Sequence, residues 1–306
     1  MPRPIRMLNA SEIFFVTMRC FQRRFLLRPS QETVEVLGGV LARSVRLHGI
    51  ELFAFSVISN HVHLIVRAPR GNLPGFMQYL LTNISKKIGK LVRWRGSFWE
   101  RRYSAEPILD ETALLERLTY VLSHGVKEGL VRRCRDWPGL SCLPLLEGRS
   151  KAFRWFNWTR RASGNSRHAV RKPFDDRWSE PELLRLTPLP NLGLRKPGAL
   201  RRFLRRTVKA IESKARREHP RVLGRSGVLK QRPHAKPRPA KRRPRPLCHT
   251  SIPELLAAFR ERYRSFVDAF RRASIRWRNG DSTAAFPEPA IKPFVWVGFS
   301  ALPLAA

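Results

Sequence analysis

Acidic residues are scarce in this chain. Only 23 Asp and Glu stand against 60 Lys and Arg, leaving a formal net charge of +37 over 306 residues. That surplus is hard to reconcile with an enzyme acting on neutral or cationic metabolites. It points to a polyanionic partner, with nucleic acid ahead of an anionic membrane surface. Cysteine is also scarce. Cys20, Cys134, Cys142 and Cys248 are scattered with no CxxC pair, which argues against a zinc ribbon or a disulfide scaffold and fits a reduced, cytoplasmic setting. No apolar run approaches the ~18 residues that a membrane-crossing helix needs. The apolar tail, residues 293–306, is too short to span and reads as packing or fraying. Residues 1–6 hold no apolar signal-peptide core. Tyrosine is limited to Tyr79, Tyr103, Tyr120 and Tyr263, which narrows any search for a phenolic nucleophile.

What is present is enough for a folded core: 42% hydrophobic residues, including 8 Trp and 18 Phe. Whole-chain disorder is excluded, and the length suits one or two domains. The charge is uneven. Residues 1–150 carry +11, from 23 basic and 12 acidic residues, whereas residues 151–306 carry +26, from 37 and 11. Residues 225–246 hold nine Lys/Arg, five Pro and no acid. Proline and like-charge repulsion predict a flexible basic linker there, one that would sit on phosphates.

Patterning predicts a strand over 12–19, then a helix capped by Ser30 and running to His48. Strands over 51–58 and 61–66 follow, joined tightly through Ser59-Asn60. A helix over 73–92, a strand over 97–108 and a helix capped by Asp110 and reaching about Ser123 complete the series. The order β-α-β-β-α-β-α predicts an α+β, ferredoxin-like antiparallel sheet with helices on one face. Beyond residue 135 the pattern weakens into a basic, mainly helical or irregular extension. Residues 200–217 read as an amphipathic helix, with Leu200, Phe203, Leu204, Val208 and Ile211 on one side and Arg201, Arg202, Arg205, Arg206 and Lys209 on the other. Ser251 and Glu254 have capping-box spacing ahead of a last helix. The expected divisions are a catalytic unit over 1–145, a basic aromatic and helical extension over 146–224, a linker over 225–248, and a helix with tail over 249–306.

One stretch points to chemistry. In His61-Val62-His63-Leu64-Ile65-Val66 alternate side chains share a face, so Val62, Leu64 and Val66 turn to the core while His61 and His63 turn together to the other side. Imidazoles ~6–7 Å apart along a strand can share a divalent ion. Tyr120 and His124 are at i and i+4 on a helix. If that face covers the histidines, His124 becomes a third ligand and Tyr120 stands beside the ion, where its phenolate could attack phosphorus. Tyr79 follows core spacing, Tyr263 is remote in sequence, and Tyr103 is the serious rival.

The motifs Asn60 to Val66, Phe98-Trp99-Glu100-Arg101-Arg102-Tyr103, Tyr120 to Val131 and Asp136-Trp137-Pro138 occur in that order. Together they resemble the single-tyrosine HUH transposases, in the branch of REP-associated tyrosine transposases related to insertion-sequence-200-like elements. The resemblance covers about residues 10–145. It implies a metal-dependent nickase and ligase of single-stranded DNA, acting on hairpins of palindromic repeats, with Mg²⁺ or Mn²⁺. It implies His61 and His63 as metal ligands, with His124 able to take the third place, and Tyr120 as the nucleophile that forms a 5′-phosphotyrosine. Arg101, Arg102, Lys127, Arg201, Arg205, Lys241, Arg242 and Arg243 are the candidates for holding the DNA backbone. The resemblance implies a DNA-associated cytoplasmic protein and leaves both a homodimer and a monomer open. The sequence departs from the family pattern at His124-Gly125 (usually Asn-Pro), at Glu100 (usually Gln) and at Ser59 (usually Pro). The first departure motivates an alternative, a domesticated DNA-hairpin-binding protein that no longer cleaves. An RNA-binding protein on a ferredoxin-like sheet ranks behind it.

Overall fold

The computed structural model describes residues 5–146, 148–159, 176–190, 197–237 and 245–290. Lys241, Arg242, Arg243 and the apolar tail lie outside them. Four strands, β1 (Ile13–Arg19), β2 (Glu51–Ile58), β3 (His61–Arg67) and β4 (Ser104–Ile108), form one antiparallel sheet in the order β2-β3-β1-β4. Helix α1 (Gln31–His48) links β1 to β2, and α2 (Leu73–Leu91) links β3 to β4. This is the ferredoxin-like plan. The Ser30 side chain accepts from Thr33 N at the start of α1, and Gly49, at φ +61°, ends the helix in the left-handed conformation that glycine tolerates.

Register sorts the side chains. Phe15, Thr17 and Arg19 stand opposite Ile65, His63 and His61, while Phe14, Val16 and Met18 stand opposite Val66, Leu64 and Val62. The second set is buried in the main core. Burying each such aliphatic side chain contributes roughly 1.5–3 kcal/mol. Helices α1 and α2 pack on each other. The next helix, α3 (Glu111–Lys127), packs on β2 and β3 and brings its His124 to the histidine face. The expectation of helices on one face therefore holds for α1 and α2, and α3 covers the opposite face.

Both edges of the sheet are covered by the chain itself. On the β2 side, Val57 N donates to Leu140 O and Cys142 N to Phe55 O, at 2.9 and 3.0 Å, and Thr187 N donates to Leu52 O. On the β4 side, His249 N donates to Pro107 O at 2.8 Å and Leu109 N to His249 O at 2.9 Å.

Some expectations are corrected. The strand predicted over 97–108 shrinks to Ser104–Ile108. Phe98 is buried and the Trp99 indole donates to Leu81 O, which draws this stretch toward α2, and only Trp99 makes a bridge, to Cys20. Helix α3 runs one turn past Ser123. A two-stranded ribbon that the sequence reading missed, β5 (Lys151–Phe156) with β6 (Ser179–Leu184), lies on α1. It fits because a side chain at Gly38 would come within 2.2 Å of the Phe153 ring, and one at Gly39 within 2.1 Å of Arg154 O. Helix α4 (Pro197–Glu218) packs on α3 through Leu204, Ile211 and Ala215.

The expected basic linker also changes character. Its first residues form a short helix, α5 (Gly224–Leu229), because the first proline comes only at Pro233. The described part docks on the core: Arg28 donates to Leu229 O, Ser59 Oγ to Gln231 Oε1 at 2.6 Å, and His234 Nε2 lies 2.8 Å from Val92 O. The capping box at Ser251 does not form. Its hydroxyl donates to Asp110 Oδ1, and the last helix, α6 (Pro253–Arg278), starts without a side-chain cap. Phe259 and Phe266 of α6 build a second small core with Met7 and Cys248.

Candidate active site

Helix α3 begins where Asp110 accepts a hydrogen bond from Ala113 N at 2.8 Å. Leu114, Leu118 and Val121 bury one side of the helix. Arg117, Tyr120, His124 and Lys127 follow one another at helical spacing along another side. That stripe meets the histidine face of the sheet. Ring centroids of His61, His63 and His124 lie 4.5–4.9 Å apart. Each offers a nitrogen within 4.8 Å of the others, and all three are buried. The Tyr120 ring stands edge-on 5.3 Å from His63 and 5.1 Å from His124. Tyr120 is half-buried, Lys127 Nζ sits 4.1 Å above its ring and the Arg117 guanidinium lies 5.5 Å from it.

Burial, before any neighbouring charge, pushes the imidazole pKa values down. His61 and His63 fall well below the ordinary histidine range, with His124 and then Arg19 and Lys127 adding repulsion. His124 is pushed down to about 3 by burial, then by Lys127 and Arg19. All three are therefore neutral near pH 7, the form that ligates metals. The outer nitrogens of the two strand histidines are held. Asn60 Nδ2 donates to Arg23 O, which leaves its Oδ1 to accept from His61 Nδ1 at 2.5 Å. Thr17 Oγ1 lies 2.9 Å from His63 Nδ1. With its proton on Nδ1, His61 directs a lone pair at His124 Nε2, with which it is in close contact. His63 Nε2 is buried with no hydrogen-bond partner among the described residues. Converging lone pairs and an orphaned buried nitrogen are what a cation would relieve. The residues present fit a metal ion, and a set of three imidazoles suits transition ions better than Mg²⁺, which prefers oxygen.

The structure brings His61, His63, His124 and Tyr120 together. The rival Tyr103 is buried under the Arg6 guanidinium, 3.5 Å from its ring, and its hydroxyl has no hydrogen-bond partner among the described residues. Arg101 and Arg102 are exposed in the loop that runs beside the end of β1, where Glu100 N donates to Arg19 O. Lys127 is exposed at the end of the site stripe, and Arg201 and Arg205 lie on the solvent side of α4. Sequence reasoning missed Thr17, Arg19, Asn60 and Arg117 as part of the site. Thr17 and Arg19 break the apolar run of β1 at i, i+2 spacing. That is a faint signal, because sequence alone does not say which strand they pair with.

Residues 13–121 match the family model described as Transposase IS200 like. A curated Haemophilus influenzae protein, named for the REP-associated tyrosine transposases, is 29% identical over 99 residues, 29% of this chain. The match spans 56%, about half, of that relative's length. Two solved structures are also similar. One is a REP-associated tyrosine transposase bound to a REP hairpin: 20% identical, 49% of this chain and 87% of that one, TM-score 0.42. The other is a Deinococcus radiodurans protein described as a transposase: 20% identical, 40% and 95% covered, TM-score 0.29. The family resemblance read from the motifs holds: the chain carries an IS200-like domain over residues 13–121.

Proposed function

We propose that this chain nicks and rejoins single-stranded DNA at hairpins of palindromic repeats, through a phosphotyrosine on Tyr120. The observation that carries the reading is the packing of Tyr120 against three buried, neutral imidazoles of its own chain. A REP-associated relative was solved on a REP hairpin, which is why hairpin DNA is the substrate proposed.

In this reading His61, His63 and His124 hold the ion. A bound divalent ion supplies charge that polarises a phosphoryl oxygen and fixes the phosphate in place. Asn60 holds His61 in the tautomer that presents Nε2, and Thr17 orients the His63 ring. Tyr120 Oη forms the bond to phosphorus and its proton is released. The P–O3′ bond breaks, and the leaving oxygen takes up a proton as a 3′-hydroxyl. The reverse attack by a 3′-hydroxyl reseals the strand and returns the proton to Tyr120. Arg117 and Lys127 flank the phenol as cations, and Arg101, Arg102, Arg201 and Arg205 remain candidates for the DNA backbone. All four residues of the proposed set, His61, His63, His124 and Tyr120, belong to one chain. Among the described residues no helix is long and apolar enough to cross a membrane.

His124-Gly125, where the family usually has Asn-Pro, favours one rival, a hairpin-binding protein that no longer cleaves. An RNA-binding sheet has less support, because both faces of this sheet are covered and its strand residues are mostly buried. The deciding experiment incubates full-length protein with an end-labelled hairpin single strand, with Mn²⁺, with Mg²⁺ or with EDTA. A denaturing gel should show a covalent adduct with Mn²⁺, less with Mg²⁺, and none with EDTA or in Tyr120→Phe. An adduct that survives in Tyr120→Phe moves the nucleophile elsewhere. Hairpin binding with no adduct under any metal selects the non-cleaving reading.

A further inference from the structure

The orientation of His61 depends on a chain of contacts that leaves the IS200-like domain. Asn60 Oδ1 accepts from His61 Nδ1 because Asn60 Nδ2 is engaged by Arg23 O, 3.1 Å away. Arg23 belongs to the turn Phe21–Arg23 that follows β1. Gln22 and Arg23 stand there at φ +51° and +56°, a left-handed conformation that residues other than glycine rarely adopt. Two such residues in a row persist only where surrounding contacts hold them.

Many of those contacts come from residues 229–235, in the C-terminal half of the chain. The Arg24 guanidinium meets Gln22 Oε1 with two of its nitrogens, at 3.0 and 3.3 Å, and donates with the third to His234 O. Phe25 N donates to Ala235 O at 3.4 Å, and Arg28 donates to Leu229 O at 2.6 Å. His234 Nε2 lies 2.8 Å from Val92 O, and its ring stands 5.5 Å from that of Trp94. The Arg24 guanidinium sits 5.2 Å from the same indole. The segment also grips the β2–β3 turn. Ser59, the residue before Asn60, is buried, and its hydroxyl donates to Gln231 Oε1 at 2.6 Å. Leu27 N donates to Ser59 O and Cys20 N to Asn60 O, both at 2.8 Å. The departure from the family pattern at Ser59 therefore has a use, because a proline there would carry no hydroxyl for Gln231.

We propose that residues 229–235 are a positioning strap for the metal site. By gripping Arg24 and Ser59 they fix the Arg23 carbonyl on Asn60, and Asn60 in turn fixes the ring and tautomer of His61. The proposal rests on the metal reading of the three histidines. It adds that the site is completed from outside residues 13–121, the span of the family match. Gln231 and Arg24 are positioning residues, acting on His61 through the turn and Asn60.

The test uses the full chain and two readouts. Calorimetric titration gives the Mn²⁺ affinity. In EDTA, the magnetic resonance shifts of labelled histidine ring nitrogens report the tautomer of each imidazole. Gln231→Ala and Arg24→Ala should each weaken Mn²⁺ binding about 3- to 10-fold, less than the roughly 10- to 100-fold loss typical of a direct partner such as Asn60. Both should move the His61 signal from the Nδ1-protonated form toward a mixture and leave His63 where it was. Gln231→Glu keeps an acceptor for Ser59 and should restore the parent values. Arg23→Gly keeps the carbonyl and suits a positive φ, so its affinity should stay within about twofold. Arg232→Ala removes an exposed cation of the same segment and should also stay within about twofold. Unchanged affinity and His61 shifts in Gln231→Ala and Arg24→Ala, with a parent that binds Mn²⁺, would overturn the strap and spare the metal reading. A loss shared equally by Arg232→Ala, or one in which all histidine signals move together, would overturn it in favour of general loosening. A parent chain that binds no Mn²⁺ removes the metal reading, and the strap then stands or falls on the His61 shifts of the metal-free protein.

Discussion

The two faces of one strand do opposite work. On β3, Val62, Leu64 and Val66 enter an apolar core, while His61 and His63, one residue out of step, enter a polar chamber under α3. The first face gains free energy by removing carbon from water. The second gives some of it back, because it buries imidazoles that are short of partners and repelled by Arg19 and Lys127. The difference teaches that this sheet is stabilised on one side so that the other can hold groups in positions they would not choose alone.

Neighbouring substitutions on β3 would break or sharpen that contrast. His63→Ala should lower adduct yield at least ~100-fold and remove metal-induced stabilisation, with little change in the melting of metal-free protein. Leu64→Ala should lower stability by about 2–5 kcal/mol and leave the folded fraction able to bind metal. Denaturant melts with and without Mn²⁺ separate them, and the same pattern from both variants would dissolve the distinction between the faces. A smaller effect concerns α1, which faces the ribbon. Gly39→Ala ordinarily improves a helix by ~1 kcal/mol, but here the new carbon would meet Arg154 O. A net loss of about 1–3 kcal/mol is expected, and a stabilised variant would mean that the ribbon does not sit on α1.

Acid should act through the histidine face. With EDTA present, an unfolded chain takes up a proton at His124 below pH ~6.5, whereas the folded chain refuses it until about 3. Stability attributable to this group therefore falls as pH drops from ~6.5 toward 3. Thermal melts between pH 7 and 5 should show a shallower decline in His124→Asn than in the parent. The smallest effect expected is Thr17→Val, which removes the hydroxyl beside His63 Nδ1. It should weaken metal binding about tenfold by titration, and unaltered affinity would show that Thr17 does not orient the ring.

Most of the ferredoxin-like unit was legible because its signals are local. Ser30 and Asp110 cap helices, and strict alternation from His61 to Val66 assigns each side chain a face before any partner is known. The pairing of Tyr120 with His124 followed from helical spacing. What escaped was set by non-local register and docking. Nothing near Thr17 or Arg19 says that they oppose His63 and His61. The strand-forming residues of β5 find their partner 23 positions later, past a basic stretch. Gly38 and Gly39 look like weak spots in a helix until Phe153 and Arg154 are seen against them. The Pro- and Arg-rich stretch looked like a tether because composition cannot show that Arg28, Ser59 and Val92 hold its neighbours down.

The covered edges of the sheet carry one more consequence. Leu140 to Cys142 and Thr187 occupy the ladder positions along β2, and His249 occupies those along β4. Two such molecules could not fuse their sheets into a single larger one unless each first peeled off a piece of itself. Association at high concentration would then have to use helices or loops, and strand-by-strand stacking into fibres is disfavoured at both flanks.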